Sequence, residues 1–374
     1  MLMRRNLVLG AAACGFSAPW LVACSDGASY DEAVRSLRRP IAANSGNHTS
    51  LMQELVRYAT LAPSSHNTQC WKFRINDQVP RRSITILPDL ARRTPVVDPD
   101  DHHLFISLGC ATENLVQAAL AMGLQGDARF EATGSGAISV NLQATRATSS
   151  PLFQAISERQ CTRGDYDGQP LTVAELRLLE QAGTGNGVRL MLLTERPALE
   201  KVLDYVVAGN TAQMNDAAFV DELKAWIRFS ADEAARTGDG LYAGASGNPS
   251  LPRWLGIRMM GLFFTPQSEN DRYAKQIRNS AGIAVFASQV GDKAHWIEVG
   301  RCYERFALQA TALGIRNAFV NQPVEVGAIR PQFASAMGLG GQRPDLVVRF
   351  GRGPVMPLSM RRPVQAVLIA AADS

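Results

Sequence analysis

The chain has 374 residues, 46% of them hydrophobic and 19% charged, with 38 Lys and Arg against 34 Asp and Glu for a net charge of +4. That composition excludes wholesale disorder and leaves room for one large or two medium domains. The positive balance is small and scattered rather than gathered on a stripe, which excludes nucleic acid as a partner.

At the N-terminus, Arg4 and Arg5 precede a modestly apolar stretch, 7–23. Gly10, Gly15 and Pro19 interrupt it, so it suits an export signal (1–23) better than a membrane-spanning helix. The run Arg4-Arg5-Asn6-Leu7-Val8 looks like a twin-arginine signal, with Met3 in place of the usual preceding residue. Leu21-Val22-Ala23-Cys24 resembles a bacterial lipobox, in which cleavage leaves a lipidated Cys24; a plain secretory signal with a chance cysteine is the alternative. The expectation is an exported chain, lipid-anchored on the periplasmic side of a bacterial membrane, with 24–49 as a tether. Cys70, Cys110, Cys161 and Cys302 then remain, none spaced as metal ligands or a redox pair, and buried free thiols are expected.

A helix is expected from Ser50 as N-cap, with Leu51, Leu55, Tyr58 and Leu61 at helical spacing, and Pro63 stops it. The next stretch, "APSSHNTQCW" (62–71), crowds hydroxyls, amides and an imidazole between a proline and a tryptophan. Trp71, Phe73 and Ile75 then alternate with polar residues as a strand, partnered by 83–87. Residues 98–103, "DPDDHH", read as a solvated turn and no metal site, since adjacent histidines point apart on regular elements.

A repeat organises the rest. Residues 109–124, "GCATENLVQAALAMGL", lie without gaps on 300–315, "GRCYERFALQATALGI", pairing Gly109 with Gly300 and Glu113 with Glu304. Strand-like residues follow each copy, at 128–132 and 316–320. The expected architecture is α+β: two related units in tandem, 50–150 and 151–374, each a mostly antiparallel sheet with helices. The second carries a Gly-, Pro- and aromatic-containing insertion at about 226–269. The second unit opens with Arg159-Gln160-Cys161-Thr162-Arg163, where guanidiniums at this spacing can cradle a phosphate; ordinary surface arginines are the alternative. Arg361 and Arg362 offer a further pair.

Taken together, residues 62–71 resemble the nitroreductase superfamily signature A-P-S-S-x-N-x-Q-P-W, and 159–166 resemble its R-R-S-x-R-x-F opening. Pro323-Val324-Glu325 resembles its late P-x-E segment and Arg361-Arg362-Pro363 its closing basic motif. The tandem arrangement resembles the Acg-like branch, in which two nitroreductase-like halves in one chain mimic a homodimer, so a monomer suffices. The resemblance implies one FMN site between the halves. Ser64, Ser65, Asn67 and Gln69 would serve the ring edge, Arg159, Cys161, Arg163, Arg361 and Arg362 the phosphate, and Pro323 and Glu325 the ring's surroundings. Cys161 stands where the family has a serine, and Cys70 where it has a proline. It further implies an oxidoreductase drawing on NADH or NADPH and passing electrons to a small acceptor, or else an FMN store closed by a lid. The apolar insertion fits a lid, a membrane-facing patch or a packed surface helix.

Overall fold

The computed structural model describes residues 22–41 and 48–370; the expected export signal lies outside them up to residue 21. The stretch expected as a tether begins with a docked helix, α1 (Val22–Leu37). Its Tyr30 and Val34 are buried against Ala231, Ala234 and Met360, and the Tyr30 hydroxyl donates to the Leu358 carbonyl at 2.7 Å. Apolar contact with a satisfied hydroxyl fixes this helix to the body.

The first unit runs α2 (His48–Thr60), β1 (Trp71–Asn76), β2 (Arg82–Pro88), α3 (His102–Ala121), β3 (Leu124–Glu131) and β4 (Ala137–Ala144). Helix α2 starts two residues ahead of the expected cap Ser50. Trp71 and Phe73 point inward and are fully buried, as period-two alternation requires. Antiparallel pairing sets Phe73 opposite Ile86, and β4 joins β2 to β3.

The second unit opens with α4 (Pro151–Ala155), α5 (Val173–Gly183), β5 (Val188–Leu193), α6 (Arg196–Met214) and α7 (Ala217–Trp226). The insertion holds β6 (Ile227–Arg228), α8 (Ala231–Thr237), β7 (Leu241–Tyr242) and α9 (Arg253–Phe263). Then come α10 (Pro266–Arg278), β8 (Gly282–Ser288), α11 (Lys293–Ala312), β9 (Arg316–Phe319), α12 (Gln322–Glu325), α13 (Arg330–Ala336), β10 (Arg343–Gly351), α14 (Val364–Val367) and β11 (Leu368–Ile369). Its sheet has the order β5-β8-β10-β9, every pair antiparallel, and β8 is buried along its whole length.

The chain's end does not stay with the second unit. Strand β11 returns to the first sheet and pairs parallel with β1, Leu368 opposite Phe73. The expected boundary at 151 counts this strand with the second unit, while its ladder lies on β1 of the first.

Helices α3 and α11, the two copies of the repeat, pack against each other and carry the interface. A Cβ at Gly109 would stand 2.0 Å from the Ile297 carbonyl oxygen, and one at Gly300 would stand 2.0 Å from that of Ile106. Each glycine thus meets the residue three positions before its counterpart, the reciprocal contact of a two-fold axis. The repeat is legible in sequence because the crossing admits no side chain at either place. Among the described residues α3 is the one helix long and apolar enough to cross a membrane, and it is buried here.

Candidate functional site

A cavity of about 570 Å³ lies where the units meet. The first unit contributes Ser64, Ser65 and His66 from the signature loop and His103 and Ser107 from α3. The second contributes Arg163, Gln213 of α6, and Gln322 and Glu325 of α12. The insertion covers the space with apolar groups, among them Phe229, Leu241, Met260 and Phe264.

The signature loop is strained. His66, Asn67 and Gln69 have φ of 47°, 53° and 53°, the left-handed region that side-chain-bearing residues rarely enter. Hydrogen bonds hold it there. The Asn67 amide donates to the carbonyls of Gly240 (3.0 Å) and Met360 (3.3 Å), and its oxygen accepts from Arg361 at 2.9 Å. The Gln69 amide donates to Gly238 O at 2.8 Å and accepts from Arg362 N at 2.8 Å, while Ser64 Oγ accepts from Gln69 N. Both amides are buried and are engaged by the insertion and the C-terminal segment. Strain of this kind beside a cavity is a mark of function, because the surrounding structure must maintain it.

The arginines expected at the phosphate also contact the protein itself. Arg361 donates to the carbonyls of Thr60 (2.7 Å), Leu61 (3.0 Å) and Ala62 (3.0 Å). Arg159 donates to Leu61 O at 2.8 Å and lies 3.2 Å from Glu304 Oε1. Both are buried, and neither lines the cavity. Their charges sit at the C-terminal end of α2, where unpaired carbonyls and the helix dipole attract cations. Buried Arg38 joins them, donating to Ser157 O and Arg159 O, and burial beside Arg159 pushes its pKa down to about 9. Cys161 bridges to Asn317, and Pro323 is buried at the start of α12. The Arg362 guanidinium turns to Ala366 O and towards Asp89. Of the expected residues, Ser64, Ser65, Arg163 and Glu325 meet at the cavity.

Around those four are groups that sequence reading missed. Burial raises the Glu325 carboxyl above the usual range; it accepts from Gln213 Nε2 at 2.7 Å and lies 3.8 Å from His103 Nδ1. His66 Nδ1 and Gln322 Oε1 have no hydrogen-bond partner, and Arg163 makes no ion pair, among the described residues. Asn210 and Gln213, one helical turn apart on the buried face of α6, were the legible signal of a polar lining.

Residues 98–103 also differ from the expected solvated turn. His102 and His103 are buried in the first turn of α3, and Asp98 accepts from Leu104 N at 3.0 Å. Asp98, His102 and His103 each offer a ligand atom within 4.8 Å of the others. Their partner is remote in sequence: His102 Nε2 meets Asp345 Oδ1 at 2.7 Å across 243 positions. Burial pushes Asp345 up to about 7 and His102 well below its ordinary value.

His66 gives a pH prediction. Burial, with Arg163 nearby, lowers its pKa to about 4. An unfolded histidine titrates near 6.5, so between those values the unfolded state binds the extra proton and stability falls as the pH falls. Above 6.5 the contribution is complete. Between pH 7 and pH 5 this group should remove about 2 kcal/mol. Urea melts of a His66→Asn variant, asparagine also tolerating this backbone, should lack that loss.

No family model matches the chain. Two proteins from strains of Mycobacterium tuberculosis, each provisionally named an NAD(P)H nitroreductase, are 24% identical over 331 residues, covering 85% of this chain and 90% of theirs. The similarity of this chain to named nitroreductases thus extends over most of its length. The match to these nitroreductases is long enough to take in both units. Similar solved structures include a provisionally named nitroreductase from Anabaena variabilis, at 10% identity and TM-score 0.46, covering 86% of this chain and 91% of that one. Another is a nitroreductase with bound FMN from Desulfitobacterium hafniense, at 14% identity and TM-score 0.36, covering 57% of this chain and 94% of that one.

Proposed function

We propose that this protein is a nitroreductase-like, FMN-dependent oxidoreductase of the Acg-like kind, exported and lipid-anchored at Cys24, with one flavin between its two units. It would take electrons from NADH or NADPH and pass them to a small acceptor. One observation carries the reading: the signature loop at Ser64 to His66 and the cation Arg163 share the walls of a single cavity. FMN needs hydrogen-bond partners for its ring edge and counter-charge for its phosphate. His66 Nδ1 and Gln322 Oε1 are unpartnered among the described residues, and Arg163 supplies a cation. When bound, FMN would supply the hydride chemistry itself. The chain's part is to orient the ring and to exclude water with Phe229, Met260 and Phe264.

That apolar cover also favours a second reading, in which the insertion closes on FMN and the protein stores it. Adding NADPH to the flavin-loaded protein under anaerobic conditions separates the two. Bleaching of the flavin followed by reoxidation with a quinone supports the enzyme; reduction by dithionite but not by NADPH or NADH supports the store. A chain that takes up no FMN on reconstitution removes both. For the anchor, a Cys24→Ala variant should lose incorporation of labelled fatty acid, and undiminished labelling would contradict lipid attachment.

A further inference from the structure

Helix α9 is apolar on two sides. Its inner side, with Gly256, Met260 and Phe264 beyond its end, closes the cavity. Its outer side carries Trp254, Ile257, Arg258, Gly261 and Leu262 at i, i+3, i+4, i+7 and i+8, a single stripe. Trp254 is 65% exposed, Ile257 39% and Leu262 70%. The exposed face of a surface helix is ordinarily polar, so an apolar stripe of this kind marks an interaction surface.

Charge and position identify its partner. From 240 to 268 the chain has no acidic residue and two arginines. Arg253 is bound to Glu233 of α8 at 2.7 Å, while Arg258, on the exposed stripe, has no acidic partner among the described residues. Helix α1 packs on the same α8, with Tyr30 also against Tyr242 at 4.8 Å between rings. The N-terminal helix and the apolar stripe are thus fixed to one small element. We propose that the outer face of α9 seats on an anionic phospholipid bilayer, with Trp254, Ile257 and Leu262 in the interfacial layer and Arg258 against lipid phosphates. Tryptophan, branched aliphatics and arginine on one short helix are the composition of an interfacial helix. The cavity then lies one helix thickness from the lipid, a short path for an apolar acceptor dissolved there. The docking rests on α9 and not on the flavin reading, which could fail alone.

The test uses the full chain carrying Cys24→Ala, so that no acyl group attaches. It is mixed with vesicles of phosphatidylglycerol and phosphatidylcholine whose acyl chains are brominated and quench nearby tryptophan. The chain has five tryptophans, so the signal of Trp254 is the part that a Trp254→Phe variant lacks. That part should be quenched as lipid is added. Ile257→Ser with Leu262→Ser should weaken the vesicle affinity read this way roughly tenfold. Arg258→Glu should weaken it on the anionic vesicles and not on phosphatidylcholine alone. All three sites are exposed, so unchanged thermal melting confirms intact folding. Trp254 emission untouched at saturating lipid would overturn the docking. So would lipid-free dimerisation that the Ile257 and Leu262 substitutions abolish, because a second copy would then be what covers the stripe.

Discussion

Gly109→Ala is expected to destabilise the protein by about 3 kcal/mol, near the upper end for overpacking, and Gly300→Ala by a similar amount. In each case the new methyl would meet a backbone carbonyl oxygen at 2.0 Å, which no rotamer change relieves. The helices α3 and α11 must move apart, and the buried surface between them loosens. Because both glycines serve one crossing, the double variant should cost clearly less than the sum: once the helices have separated, the second methyl meets open space. Urea denaturation of the four species gives the cycle. Two losses below about 1 kcal/mol, or strictly additive losses, would mean that the crossing is not the shared contact described here.

The second large effect separates two arginines that the sequence treats alike. Arg361→Met should cost roughly 3–5 kcal/mol, because it leaves the carbonyls of residues 60–62 and the Asn67 side-chain oxygen buried without their donor. The strained signature loop would lose one of its supports in the same step. Arg163→Met should change stability by no more than about 0.5 kcal/mol, since this guanidinium makes no ion pair among the described residues. Its loss should instead weaken FMN binding by roughly 10- to 100-fold, as for one charge-assisted hydrogen bond. Thermal melting and quenching of FMN fluorescence measure the two quantities. The reverse pattern, with Arg361 governing affinity and Arg163 governing stability, would place the phosphate at Arg361 instead.

Both outcomes bear on what a sequence can disclose. The tandem architecture was legible because backbone contact at the crossing fixes glycine at 109 and 300, and nothing else fits. The strands 71–76 and 82–88 were legible from their alternation. Side-chain direction was not. Asn67 and Gln69 have the chemistry to serve a heterocycle, and the same chemistry serves Gly238, Gly240 and Met360 in a loop that needs restraint. Arg159 and Arg361 bind carbonyls at a helix end with the geometry they would offer a phosphate. His102 read as solvated because Asp345, which buries it, lies in another unit. The docked helix α1 was read as a tether because its anchoring residues, Tyr30 and Val34, find their partners beyond residue 230.

A fluorescence titration of the full chain with FMN, counting sites by the break point, tests the union of the two units most directly. One FMN per chain, with affinity reduced in Arg163→Met and melting unchanged, is the expected result. Two per chain, none, or one whose affinity ignores Arg163 would contradict a single site in the cavity that the units share.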